Sequence, residues 1–389
     1  MEPIPLPLPL VLSCAGPQVR GDALLEDRWT FISYFMGIGG PQVRGAALLE
    51  DLRPCAAAGA GALAAVLPPE PLDPAAEAAR LSLVREAAGG RALTAGVLGP
   101  TEEAIPPYGE TPFEDLVALY ARRAEALKEA DLILVEEVQA MAQARAALLG
   151  VRQAGLRQPV LVVCRCDEEG RTPTGGDVLA CGIVMQGMGA AAFGLHCPDP
   201  DALEEQLSRL HQYLDLPLIA VPEEGDFTGR VPAWAAAGAR VFPCGGHAGE
   251  TAALVRALEG VDFSAFPPVE RDPDVIPCAS EKEARFITPD VDVGETIECT
   301  PDLMEDIVTA EEESPVGALR IAILEQDDVD LFAQEQYAIR DALCLWSDVP
   351  ELMEAALRVY QGRAFYDGTA DLEPEVLERL RQTYGLILL

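Results

Sequence analysis

Short unbroken apolar runs alternate along the first two-thirds of the chain with longer stretches in which apolar residues recur every three or four positions. The first kind of pattern fits buried strands and the second fits amphipathic helices. Eight candidate strands precede residue 265: Leu10 to Cys14, Ala62 to Leu67, Ala92 to Leu98, Leu132 to Glu136, Pro159 to Cys164, Ala191 to Cys197, Leu218 to Val221 and Arg240 to Phe242. The clearest helix starts near Thr111-Pro112 and sets Leu116, Leu119, Tyr120 and Leu127 on one stripe. Strands alternating with helices predict a parallel sheet, and eight such units predict closure into a (β/α)8 TIM barrel over residues 1–265.

From 266 to 315 the pattern changes to Pro, Asp and Glu, which reads as an acidic Pro-rich linker or an extended crossing segment. Periodicity resumes at Leu319. Strands are expected at Arg320 to Leu324, Ala342 to Trp346, Arg363 to Tyr366 and Leu386 to Leu388, with helices between them, so residues 316–389 are expected to form a small open parallel α/β domain. Near the start of the chain, Gly16-Pro17-Gln18-Val19-Arg20-Gly21 recurs as Gly40-Pro41-Gln42-Val43-Arg44-Gly45. Two copies are too few for a solenoid, so this is a local duplication.

Charge narrows the function classes. Sixty-four acidic residues against 28 Lys plus Arg give a formal charge of −36, which repels phosphate backbones and anionic membranes. Neither nucleic acid nor membrane is therefore expected as a partner. Ten cysteines spread over 389 residues do not resemble the dense framework of a small secreted domain, and the proline-broken N-terminus is not expected to act as a signal peptide. A reducing cytoplasm is the expected setting.

In a barrel of this kind the loops after the strands build the site. Glu136 ends the fourth strand; it can accept a substrate ammonium, or it can simply favour the following helix N-terminus. Cys197 ends the sixth strand, and Cys244-Gly245-Gly246-His247 follows the eighth. Cys197, Cys244 and His247 supply the thiolate and imidazole donors of a three-ligand catalytic zinc site, which would hold a substrate thiol as thiolate. The alternative is that both cysteines are small buried hydrophobes. Cys164 and Cys166 form a C-x-C pair of which one is expected to face inward. The Gly-rich 245–249 loop also suits a phosphate, although it carries no Lys or Arg.

Leu98-Gly99-Pro100-Thr101, Pro107-Tyr108-Gly109, the run Asp131 to Glu136, Glu169-Gly170-Arg171-Thr172, Gly194-Leu195-His196-Cys197 and Gly245-Gly246-His247-Ala248-Gly249 resemble, in order and spacing, the homocysteine S-methyltransferase family. The resemblance covers about residues 90 to 260. It implies a zinc-dependent barrel that activates homocysteine for methylation in methionine biosynthesis, with Glu136 as the substrate-binding glutamate and Cys197 as the first zinc cysteine. The chain departs from the family where the paired zinc cysteines fall on His247 and Ala248, and where a Pro-Asn-Ala-Gly motif reads Pro222-Glu223-Glu224-Gly225. Ser347-Asp348-Val349-Pro350-Glu351 and Tyr360-Gln361-Gly362-Arg363-Ala364 are similar to part of the pterin-binding domain of corrinoid methionine synthases. Two functions are thus carried forward. One is zinc-activated methyl transfer to a small thiol. The other is a catalytically degenerate homologue that binds a small molecule, a thiol or amino acid, or a corrinoid- or folate-linked methyl-transfer partner protein.

Overall fold

The computed structural model describes residues 6–15, 41–65, 74–222, 227–245, 247–313 and 317–389. The first copy of the duplication lies outside them, and the second opens a helix, α1 (Pro41–Ala57). Eight parallel strands close in sequence order: β1 (Leu10–Ala15), β2 (Ala62–Ala65), β3 (Leu93–Leu98), β4 (Leu132–Val138), β5 (Val160–Arg165), β6 (Ala192–Cys197), β7 (Leu218–Pro222) and β8 (Ala239–Gly245). The helices between them are α2 (Pro74–Ala88), α3 (Phe113–Ala124), α4 (Met141–Gln153), α5 (Val178–Gly187), α6 (Pro200–Tyr213) and α7 (Val231–Ala236), and α8 (Ala248–Glu259) closes the set. The fold is the expected (β/α)8 barrel.

Alternation along each strand fixes two cores. Leu10, Leu12, Ala62, Ala64, Ala95, Val97, Leu132, Leu134, Leu161, Val163, Ala192, Ile219 and Val241 fill the barrel interior, while the intervening residues pack outward against the helices. The helices begin where their chemistry says they should. Asp199 accepts from the Asp201 and Ala202 amides and Pro200 occupies the first helical turn of α6, so otherwise unpaired amide groups are satisfied. In α3, Glu114 and Asp115 sit in the first turn and Arg122 and Arg123 in the last, matching the helix dipole.

The segment read as a linker is structured. It contains an antiparallel hairpin of β9 (Ile276–Ala279) and β10 (Ala284–Ile287), then β11 (Val293–Glu298) and α9 (Leu303–Glu313). β11 is the first strand of a five-stranded parallel sheet completed by β12 (Ala318–Ala322), β13 (Leu343–Trp346), β14 (Phe365–Tyr366) and β15 (Ile387–Leu388), one strand more than expected. Helices α10 (Gln326–Glu335), α11 (Pro350–Val359) and α12 (Pro374–Tyr384) alternate with the later strands.

The two units are packed together through arginines and close backbone approach. Arg145 donates to Leu357 O at 2.9 Å, Arg152 to Thr383 O at 2.8 Å, and Arg358 pairs with Glu114. Gly385, at φ 78°, caps α12 and lies so near Gly187 that an added Cβ would stand 2.7 Å from its carbonyl carbon. The hairpin packs on α5, which explains why that helix is buried from Val178 to Met185 with no polar face.

Candidate functional site

At the C-terminal ends of the strands, three inward-facing positions carry polar side chains. Glu136 continues the interior row Leu132, Leu134; Arg165 continues Leu161, Val163; and His196 continues Ala192 and Gly194. A register irregularity between Val135 and Val138, with Glu137 at φ 54°, brings a fourth group to the same place. A left-handed backbone at a non-glycine residue costs roughly 1 kcal/mol, so it persists where other contacts hold it. Here one oxygen of Glu137 pairs with His196 Nδ1, and the other accepts from Arg165 Nη1 at 3.0 Å.

The two adjacent glutamates titrate in opposite directions. Burial, reinforced by the neighbouring Glu137 charge, pushes the Glu136 carboxyl up from 4.5 to about 8. Burial also acts to raise Glu137, but the hydrogen bonds and charges of His196 and Arg165 outweigh it and hold this carboxyl below the usual range. The mouth therefore presents one acid that keeps its proton near neutrality beside one that stays ionised.

The proposed zinc donors do not converge. Cys197 and Cys244 belong to the outer core, between strands and helices. Cys197 Sγ lies 3.6 Å from Asp167 O, and a hydrogen bond from Cys166 lowers its thiol against the effect of burial. Cys244 Sγ lies 3.7 Å from Thr251 Oγ1, which reaches Ser13 Oγ at 3.3 Å; burial pushes this thiol up to about 11, so it holds its proton. His247 is exposed at the start of α8. Among the described residues no group of three or more His, Cys, Asp or Glu side chains is placed to hold a metal ion. A catalytic zinc needs three protein ligands around one point, so the donor set as placed does not fit it. Gly246, within the Gly-rich loop, lies outside the described residues. Cys164 and Cys166 both turn outward, because residues two apart on a strand share a face; Cys164 Sγ meets Cys181 Sγ at 3.3 Å.

Sequence reading missed Glu137, Arg165 and His196. Strand parity was a usable signal for the last two, since each stands an even number of residues from an interior apolar position. It also missed the β9–β10 turn on the barrel rim. Lys282 in that turn donates to Thr174 O at 2.9 Å and to the Tyr108 hydroxyl, with its ammonium 4.4 Å from the Tyr108 ring centre. The turn thereby ties the loop after β5 to the loop after β3. Beside it Glu281 is buried, one of its oxygens lacks a hydrogen bond, and burial pushes its carboxyl up to about 7.

Comparison with known proteins agrees with this architecture. Residues 72–260 match the model of the homocysteine S-methyltransferase family. Over 137 residues the chain is 29% identical to methionine synthase of Mycobacterium leprae and 28% identical to that of Mycobacterium tuberculosis, covering 33% of this chain but 11% of each relative. The apo homocysteine methyltransferase MmuM of Escherichia coli superposes with a TM-score of 0.50 at 21% identity, covering 64% of this chain and 96% of that one; at this identity the likeness speaks to fold. Among the described residues no helix is long and apolar enough to cross a membrane. The closed barrel and the family match over residues 72–260, which spans β3 to β8, make this part of the chain similar to the homocysteine S-methyltransferase family.

Proposed function

We propose that the barrel binds a small amino acid or aminothiol at its C-terminal mouth, with Glu136 receiving the ligand's ammonium group, and that zinc activation of a thiol is not part of its chemistry. The observation that carries this reading is the contrast at the mouth. Glu136 lines it beside the fixed Glu137, His196 and Arg165 set, while Cys197, Cys244 and His247 stand apart.

Each residue then has a physical task. Arg165 neutralises Glu137 and His196 helps to orient it by hydrogen bonding, so that a second carboxylate can sit beside it without two bare negative charges. Glu136, whose proton burial retains near neutrality, ionises when an ammonium arrives, because the ion pair replaces the stabilisation that water would give a free carboxylate. Binding at neutral pH therefore releases close to one proton. Zinc-dependent methyl transfer is the other reading; it needs the ends of β6 and β8 to turn so that Cys197 and Cys244 face the interior.

Calorimetric titration of the full chain with homocysteine and methionine, in buffers of different ionisation enthalpy, tests the proposal. The expected result is binding with proton release, absent for the corresponding desamino acids and for Glu136→Gln. Binding that is indifferent to the amino group, or that appears only after one zinc per chain is supplied, overturns it.

A further inference from the structure

At the opposite end of the barrel, where the strands begin, the surface carries an open pocket of about 520 Å³. Leu8 and Pro9 before β1, Leu216 before β7, and Phe263 and Val269 beyond α8 supply apolar walls. The volume lies within the range of small-molecule sites, which are typically apolar with a few fixed polar groups.

The polar groups here are Arg240, Arg271, His211 and Asp215. Arg271 is fully occupied: it pairs with Asp215 and donates to Gln212 O at 2.9 Å, His211 O at 2.8 Å and Leu214 O at 2.6 Å, so it caps the end of α6. Burial, and then the charges of Arg240 and Arg271, lower the His211 imidazole, which keeps it neutral. Arg240 differs from both. Its Nη1 donates to Ala235 O at 2.7 Å and Ala239 O at 2.8 Å, and its guanidinium lies 4.9 Å from the Phe263 ring centre and 5.8 Å from that of Phe266. Carbonyls and ring faces hold the group in place without cancelling its charge, and no carboxylate pairs with it among the described residues. In a chain of formal charge −36, Arg240 is thus a positive group at this pocket that no carboxylate side chain pairs with among the described residues, Asp215 being taken by Arg271.

We infer that this pocket is a second ligand site, distinct from the barrel mouth, and that it takes a small organic carboxylate with an apolar body, whose carboxylate pairs with Arg240 and whose body lies against Leu216, Phe263 and Val269. A planar carboxylate suits the guanidinium fork, and the apolar body replaces water along walls that have no hydrogen bonds to offer it.

The test uses 1-naphthoate and its neutral amide, 1-naphthamide, titrated calorimetrically into the full chain. Naphthoate is expected to bind about tenfold or more tightly than the amide, as an ion pair in a partly desolvated site should give. Arg240→Met should weaken naphthoate by about the same factor and leave the amide unchanged. Because Arg240 also caps α7, Val269→Trp provides a second variant that fills the pocket from a loop and should weaken both probes about tenfold. Absence of naphthoate binding, equal affinity for the amide, or affinity unchanged in Val269→Trp each overturns the assignment.

Discussion

Glu136→Gln should change how stability depends on pH in a defined direction. In the folded chain the Glu136 carboxyl is pushed up to about 8 by burial and by Glu137, against an ordinary value of 4.5. Between these values the folded protein holds a proton that the unfolded chain releases, so stability falls as pH rises. The contribution is fully present below about 4.5 and is lost as pH passes through about 8. Each pH unit is worth about 1.4 kcal/mol, so the interval of roughly 3.5 units sets a ceiling of about 5 kcal/mol. Part of the side chain remains open to solvent at the mouth, and screening brings the effect below that ceiling. Gln keeps the volume and hydrogen-bonding capacity without the titration. Urea unfolding at pH 5.5 and 7.5 is the assay, and the quantity to read is the difference between the two proteins. Other raised groups, such as Glu281 at about 7, contribute to both proteins and cancel. Between those pH values the wild type should lose about 1.5 to 2.7 kcal/mol more than Glu136→Gln. Parallel pH profiles would refute the reasoning, because they would mean that Glu136 is already ionised at the mouth.

Four other outcomes follow from the same geometry. Glu137→Ala removes the carboxylate that pairs with both Arg165 and His196, leaving two partly buried cationic or polar groups uncompensated; a loss of about 1–3 kcal/mol is expected in the same unfolding assay. Protein purified without added metal should contain well under one zinc per chain by elemental analysis, and Cys197→Ser should leave that content unchanged; one zinc lost on that substitution would restore the zinc reading. Gly385→Ala forces a Cβ against the Gly187 backbone at a residue with φ 78°, and should cost more than the ~1 kcal/mol of the left-handed conformation alone, visible as a lowered melting temperature. Truncation after Pro315 removes the partners of Arg145, Arg152 and Glu114 and uncovers apolar surface on the barrel, so reduced solubility and increased dye binding are expected.

Much of this molecule follows from local pattern. The barrel strands appear within about two residues of where apolar runs place them, apart from the longer β8 and the expected end of β2 at 66–67, which lies outside the described residues, because a strand buried on both faces must be apolar whatever surrounds it. Helix starts such as Asp199-Pro200 are equally local, since the cap and the amides it satisfies are neighbours in sequence. Even the burial of α5 is written in Val178-Leu179-Ala180-Cys181-Gly182-Ile183-Val184-Met185, which leaves no polar face for water. What covers that helix is not written there. The hairpin that does so comes from a segment whose prolines and acids read as linker, and its four-residue strands gain stability from α5 and the second sheet, not from their own sequence. The site divides in the same way. Glu136 was legible because it directly ends an apolar run. The bulge that swings Glu137 inward, the pairing of that carboxylate with Arg165 and His196, and the turning of Cys197 and Cys244 toward the helices were decided only by folding. At a strand end a one-residue irregularity reverses which side chains face the interior, and the energy that selects it comes from partners 28 and 59 residues away.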